Sequence, residues 1–125
     1  MIKFIISFTF ILSFKMTFAQ SVCLENIKEG RFTHFASDGE TIIIRKKNSQ
    51  TEYFDRGKIK SKVTWIKEDE YLLEITKIKK AELVAVNVGS IISVKVIGCH
   101  ENYYDFTISL NNNGEIIQAD ARYYW

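Results

Sequence analysis

Hydrophobic and polar residues alternate along this chain from about residue 30 to the C-terminus. Between residues 103 and 110, for example, every second residue is apolar, and Asp105, Thr107 and Ser109 lie between them. A period of two is typical of β-strands that bury one face. Eight segments have this pattern: 31–35, 41–46, 50–54, 59–66, 71–78, 90–97, 103–110 and 115–125.

Turn-forming residues separate these segments. The sequence Asn-Asn-Asn-Gly at 111–114 is the strongest hairpin signal, because Asn and Gly tolerate the positive φ of a tight turn. Only residues 79–86 form a candidate helix, and the absence of long helical patterns between the strands disfavours a parallel sheet. We therefore predict an all-β antiparallel up-and-down meander that forms a small barrel or half-barrel. A five-stranded oligonucleotide-binding-type barrel, with one hairpin from 88–106, is the alternative.

The N-terminus has the layout of a secretory signal peptide. Lys3 gives a positive start, residues 4–14 are an apolar run, and Thr17 and Ala19 place small side chains at the −3 and −1 positions of a cleavage site. We therefore expect removal of residues 1–19 and export of the rest to the periplasm, the cell envelope or the medium.

Two other interpretations of this terminus remain open. A membrane-spanning helix needs about 20 apolar residues, and Lys15 ends the run earlier, so an uncleaved anchor or a buried strand is disfavoured. Acylation of Cys23 would make the protein a lipoprotein, although Val22 stands where a small residue usually precedes such a cysteine. We expect residues 20–125, which follow the signal peptide, to form a single domain.

Cleavage changes the charge of the protein. The whole chain has a net charge of +2, and the leader holds Lys3 and Lys15, so fifteen basic and fifteen acidic residues remain. A neutral chain has no overall field that attracts nucleic acid. Nucleic acid is therefore a disfavoured partner.

Cys23 and Cys99 are the only cysteines. Export permits a disulfide between them, and closing a loop of this length stabilises a small domain by roughly 4.5 kcal/mol in the chain-entropy estimate. We predict this bridge, because a core built from about 106 residues is modest.

No pattern of catalytic or metal-binding residues stands out. Cys99 and His100 are adjacent, but neighbours in a strand point to opposite faces and do not make a dyad. His34 and His100 lack metal-ligand spacing, and the acidic residues 68–70 are typical of a solvated hairpin tip. We therefore predict a protein that is not an enzyme and has no cofactor.

Aromatic residues provide one candidate binding site. The interior of an eight-stranded barrel is either filled by side chains or holds one small ligand. We predict that six aromatic residues line the core or a cavity for a small apolar ligand: Trp65, Tyr71, Tyr104, Phe106, Tyr123 and Trp125.

Basic residues provide a second candidate. They recur through residues 41–62 beside Tyr53 and Phe54, an arrangement that can bind a polyanion or a protein. The alternative is the solvent face of an edge strand that lysines protect from aggregation. The predicted basic stripe consists of Arg45, Lys46, Lys58, Lys60 and Lys62.

The C-terminal aromatic residues, Tyr123 and Trp125, allow a third hypothesis. Outer-membrane β-barrels often end in this way, but their strands need about 9–11 residues. The segments 31–35, 41–46 and 50–54 are shorter. Membrane insertion is therefore disfavoured.

Much of residues 23–110 resembles a group of small exported bacterial proteins of unknown function. The shared features are Gly30 and Phe32, the pair Arg45-Lys46, and Lys62, Val63 and Trp65 followed by Tyr71. Some members carry an automatic topoisomerase-type label, which a short, neutral, exported chain does not support. Members often have a cysteine where this chain has Glu70, so their cysteine pairing is not carried over.

The Gly-x-aromatic motif of Gly30 and Phe32 also resembles the opening of lipocalin-like barrels. Together these observations predict an exported, non-catalytic binding protein of the cell envelope. Its partner is expected to be a small apolar ligand or an envelope polyanion.

Overall fold

The computed structural model describes residues 22–37, 39–80 and 86–125, which form eight antiparallel strands. Each strand pairs with the next, and the last pairs with the first, so the sheet closes into a barrel. The predicted all-β meander is confirmed, and the five-stranded alternative is wrong. The strands are β1 (Gly30–Ala36), β2 (Gly39–Lys46), β3 (Ser49–Tyr53), β4 (Lys58–Lys67), β5 (Glu70–Lys79), β6 (Ile91–Cys99), β7 (Tyr103–Asn112) and β8 (Glu115–Tyr124).

Two predicted features fall wholly or partly outside the described residues. They are the signal peptide at 1–19 and most of the candidate helix at 79–86, of which β5 includes Lys79. A short helical segment at 22–26 precedes β1. Within the described ranges, no helix has the length and apolar character to cross a membrane.

Most inward-facing side chains are apolar, and alternate residues of each strand point into the barrel. Phe32 of β1, Ile43 of β2 and Tyr104 of β7 expose 2% or less of their surface. Burying side chains of this kind stabilises a fold by about 1.5–3 kcal/mol each. The core cluster consists of Ile27, Phe32, Ile43, Val63, Tyr71, Leu73, Val94, Val96, Tyr104, Phe106 and Tyr123.

Residues before β1 cover one end of the barrel, which we call the capped end. Ile27 is fully buried there, and Leu24 packs against the core cluster. A disulfide links Cys23 to Cys99 at the end of β6, with their Cα atoms 5.9 Å apart. The predicted disulfide is confirmed, and it fastens the capping segment to the barrel wall.

A β-bulge changes the phase of β5. Ser61 of β4 lies opposite Ile75, but Lys60 lies opposite Lys77, so Thr76 is an extra residue without a partner in the register. Beyond this bulge Ile78 lies opposite the buried Ile59. The odd-numbered residues of β5 therefore point inward before the bulge and outward after it.

The seam between β1 and β8 is the least paired part of the barrel wall. β1 pairs with β2 over seven positions, but it pairs with β8 only where Thr33 lies opposite Tyr124. The His34 side chain adds one contact across the seam, since its Nδ1 atom lies 3.2 Å from the carbonyl oxygen of Arg122. The barrel thus closes near its capped end.

Candidate functional site

The six aromatic residues predicted to line a core or cavity lie at one end of the barrel. Tyr71, Tyr104, Phe106 and Tyr123 point inward, and each exposes at most 8% of its surface. These four rings are therefore packed into the barrel core.

The two tryptophans lie at the rim of this cluster. Trp65 packs on Tyr71, with ring centroids 4.6 Å apart. Trp125 is 40% exposed and lies edge-on to Phe32, with ring centroids 5.9 Å apart. Both residues therefore extend the packed aromatic core toward the capped end.

Arg45 lies at the centre of the buried polar groups. Its guanidinium donates hydrogen bonds to the carbonyl oxygen of Ile27 at 2.7 Å and to Oε1 of Gln50 at 2.9 Å. Its Nη2 atom donates to the hydroxyls of Tyr71 and Tyr104, each at 2.9 Å. Four of the five guanidinium N–H groups are thus bonded to the protein.

The surroundings of Arg45 keep it charged. Burial alone would lower its pKa, but its interactions with Tyr71 and Tyr104 outweigh burial and raise that pKa. The guanidinium carbon also lies 4.7 Å from the ring centre of Tyr71 and 5.0 Å from that of Phe32. In the described part of the chain no carboxylate lies within 4 Å of it, so hydrogen bonds and aromatic faces stabilise this cation.

Arg45 does not belong to the outer basic stripe in which the sequence analysis placed it. It exposes 1% of its surface, whereas the neighbouring Lys46 is exposed. The alternation of residues along β2 predicts that Arg45 points inward, because Thr41, Ile43 and Arg45 occupy its alternate, buried positions. From this inward position Arg45 links several elements of the barrel through hydrogen bonds.

A carboxylate lies on the same inner wall. The Tyr123 hydroxyl donates a 3.4 Å hydrogen bond to Oε1 of Glu52, which is partly buried on β3. Burial raises the pKa of Glu52, and the hydrogen bond from Tyr123 and the charge of Arg45 offset this only in part. The pKa of Tyr123 is also raised well above its usual value, first by burial and then by the charge of Glu52.

The remaining basic residues lie on the outer wall of the barrel. Lys58 lies opposite Lys79, and Lys60 lies opposite Lys77. Lys62 continues the row on β4 opposite Glu74, and Ser49 connects it to Lys46 on β2. We call this surface the basic face, with Lys46, Lys58, Lys60, Lys62, Lys77 and Lys79 as its members.

The basic face has six lysines and only Glu74 among the acidic residues in these rows. Like charges directly opposite each other destabilise a sheet. Among the described residues none of the six lysines lies within 4 Å of a carboxylate. The positive charge of this surface is therefore not neutralised by an ion pair.

Protection of an edge strand does not explain the lysines of β4. Lys58 and Lys60 lie opposite Tyr53 and Thr51 of β3 on one side, and opposite β5 on the other. β5 itself pairs with β6 only as far as Glu74, so Lys77 and Lys79 lie beyond that pairing. Lys77 and Lys79 were not predicted from the sequence, because only the bulge at Thr76 brings them to the outer face.

An exposed aromatic residue borders the basic face. Tyr53 is 45% exposed and lies between Ile42 of β2 and Lys58 of β4. Phe54 is partly buried in the following turn, where its N–H donates a 2.8 Å hydrogen bond to the carbonyl oxygen of Gly57. Tyr53 is thus the aromatic side chain that a ligand on this face would meet.

The other candidate residues are not brought together. Glu70 forms an ion pair with Lys95, with 3.7 Å between the charged atoms. The two histidines have different partners, since His100 stacks on Tyr103 and His34 contacts Arg122 at the seam. No group of three His, Cys, Asp or Glu residues suited to a metal ion occurs within the described ranges. Cys99 is bonded to Cys23, so it has no free thiol.

One open depression of about 320 Å³ lies on the outer wall formed by β5–β8. Its lining includes Leu72, Lys95, Thr107 and Gln118, which are outward-facing side chains. It contains none of the lysines of the basic face.

Comparison of the chain with models of protein families, with curated proteins and with solved structures found no match.

Proposed function

We propose that this protein is an exported, non-catalytic binding protein of the cell envelope that holds an anionic polymer on its basic face. The observation that carries the proposal is that two pairs of lysines lie opposite each other across β4 and β5, Lys58 with Lys79 and Lys60 with Lys77. Placing like charges opposite each other costs stability. A ligand that supplies negative charge would offset this cost.

The spacing of the lysines favours a polymer over a single small anion. Residues opposite each other in a sheet are about 5 Å apart, and alternate residues along a strand are about 7 Å apart. An array of this kind matches repeated charges, and each lysine that meets an anionic group releases a counterion. Because an ammonium group is a compact point charge, phosphate or sulfate groups suit it without bidentate geometry.

The outer surface supports this function better than the interior supports an apolar ligand. The four inward-facing aromatic residues among the predicted cavity residues are packed against one another and against Arg45. A membrane barrel is also less well supported, because such barrels have an apolar outer band and a polar interior. Here the core cluster is apolar except for the hydrogen-bonded groups around Arg45, and the outer wall carries the lysines.

The test is salt-dependent retention of the disulfide-bonded domain on immobilised dextran sulfate. Reversing Lys58 and Lys60 to Glu should lower the NaCl concentration at which the protein elutes. The matched control reverses Lys67 and Lys95, which lie outside the basic face and give the same change in net charge. Circular dichroism of each variant checks that the barrel is folded.

Equal loss of retention in both variants would show that only net charge matters, and would overturn the proposal. Tighter binding to single-stranded DNA than to dextran sulfate would also contradict it, because the ligand would then be nucleic acid. The export claim has its own readout, since N-terminal sequencing of the mature protein should begin at Gln20. A mature protein that begins at Met1 would contradict export.

A further inference from the structure

β8 has an open edge along most of its length. All ten of its residues pair with β7, but only Tyr124 pairs with β1. Two contacts show which side of β8 the backbone N–H and C=O groups of a given residue face. The carbonyl of Arg122 accepts from His34 on the β1 side, and the N–H of Trp125 donates to Asn102 on the β7 side.

Because backbone groups alternate along a strand, even-numbered residues of β8 direct their N–H and C=O groups toward the seam. Three such residues, Ile116, Gln118 and Asp120, lie beyond the single pair with β1. Their six backbone groups have no strand partner in the part of the chain that the structure describes. An edge of this kind is a template for another strand.

This edge lacks the lysine, the proline and the bulge that most often protect an edge strand. Natural edge strands often carry lysine or proline, or twist away at a bulge. Residues 115–121 contain neither lysine nor proline, and their pairing with β7 has no register shift. Ile116 is 64% exposed, and Ile117 is 38% exposed even though it lies in the inward phase.

We propose that this edge binds a second copy of the chain, with two β8 strands antiparallel about a two-fold axis at Gln118. This register places Ile116 opposite Asp120 of the second copy and Gln118 opposite its own equivalent. All six open backbone groups on each copy then have partners. On the other face, Ile117 lies opposite the small Ala119, and no like charges are opposed.

The dimer has a consequence that rests on the proposed function. β4 is four strands away from β8 in a ring of eight, so the basic face lies on the opposite side of the barrel from the open edge. The two basic faces of the dimer would point away from each other. Where both faces engage segments of the same polymer, the second contact becomes intramolecular and raises avidity.

The first test is a cysteine cross-link. Opposed residues in a hydrogen-bonded antiparallel pair have Cα atoms about 5.5 Å apart, within the range of about 4.4–6.8 Å that a disulfide spans. Gln118→Cys should therefore form a covalent dimer under mild oxidation. The matched control is Ser109→Cys, because Ser109 lies directly opposite Gln118 but one strand further from the edge. It should remain uncrosslinked.

The second test separates pairing of the edge from folding. Gln118→Pro removes an N–H that points to the open side, so the β7–β8 pairing should survive while dimerisation is lost. Sedimentation velocity of the wild type should show a dimer, and the folded Gln118→Pro variant should sediment as a monomer. A wild type that is monomeric at every concentration would overturn the proposal, as would a dimer that Gln118→Pro leaves intact. Equal cross-linking of Ser109→Cys would also overturn it.

Dextran sulfate retention distinguishes the two proposals. Gln118→Pro leaves every lysine of the basic face in place, so each monomer should still bind the polymer. Loss of the dimer with retained binding supports both proposals, whereas a wild-type dimer that binds no polymer overturns the proposed function alone.

Discussion

The guanidinium of Arg45 donates a 2.7 Å hydrogen bond to the backbone carbonyl of Ile27. This contact joins the second strand to the segment that precedes the first strand. Ile27 is fully buried, and the nearby Cys23–Cys99 disulfide holds the same segment against β6. The Arg45 hydrogen bond and the disulfide therefore both hold the capping segment against the end of the barrel.

We predict that Arg45→Met destabilises the protein strongly. The substitution leaves the Ile27 carbonyl and the hydroxyls of Tyr71 and Tyr104 without their shared donor. Each buried polar group that loses its partner in this way costs about 1–3 kcal/mol. The measurement is urea unfolding of Arg45→Met beside Lys46→Met, which removes a neighbouring exposed charge and should change stability by no more than about 0.5 kcal/mol.

Arg45→Lys should rescue little of the loss, because one ammonium group cannot reproduce the planar fork of a guanidinium. A lysine variant with wild-type stability would show that only the charge is needed. That outcome would contradict the role of geometry that we assign to Arg45.

The disulfide should contribute a large part of the stability. The bridge joins residues 76 positions apart, and removing a native disulfide from a small domain of this kind typically costs about 2–5 kcal/mol. We expect the double variant Cys23→Ser/Cys99→Ser to unfold at lower urea concentration than the oxidised protein. Reduced wild type should behave like the double variant, and a reduced protein as stable as the oxidised one would contradict the prediction.

Glu52 should make stability depend on pH. Burial raises its pKa in the folded state, so the folded protein holds this proton more tightly than the unfolded chain does. The contribution to stability is complete below the ordinary pKa of glutamate and is lost as the pH rises through the raised pKa. Glu52→Gln removes this loss.

The thermal midpoint of Glu52→Gln should therefore rise relative to wild type as the pH increases through that window. Above it, the difference should stay constant. Glu115→Gln, at an exposed position of β8, is the control. A difference between Glu52→Gln and wild type that is independent of pH would contradict the prediction.

The lysine pairs of the basic face should lower the stability of the protein while they strengthen its binding to an anionic polymer. Lys77→Glu places a carboxylate opposite Lys60 and replaces a repulsive pair with an attractive one. We expect a stabilisation of about 0.2–1 kcal/mol at low salt, which should shrink as salt screens the charges. The same variant should bind dextran sulfate more weakly. A variant that is both less stable and equally retained on the polymer would contradict this account of the lysine pairs.

The fold could be predicted from the sequence because each local pattern agreed with it. All eight predicted strands lie within two residues of the observed ones, since the period-2 alternation and the intervening turns fixed them independently. Pairing of Cys23 with Cys99 followed from there being only two cysteines. The short helical segment at 22–26 was missed because five residues are too few for a helical period to show.

The candidate site was only partly predictable. Lys58, Lys60 and Lys62 were found because they alternate within one strand. Lys77 and Lys79 join them through a bulge at Thr76, and a bulge reverses the phase without a strong mark in the sequence. Arg45 was assigned to the surface because its charge was given more weight than its inward position on β2. Its polar partners could not be predicted, because they come from four separate parts of the chain.

The central claim is that the basic face binds an anionic polymer, and its most direct test is the salt dependence of the dissociation constant for dextran sulfate. The variant replaces Lys58, Lys60, Lys77 and Lys79 with Gln, and the control replaces four lysines outside this face. If the claim is right, the logarithm of affinity falls steeply with the logarithm of salt concentration for wild type and control, and much less steeply for the variant. An equally steep fall in all three proteins would contradict it.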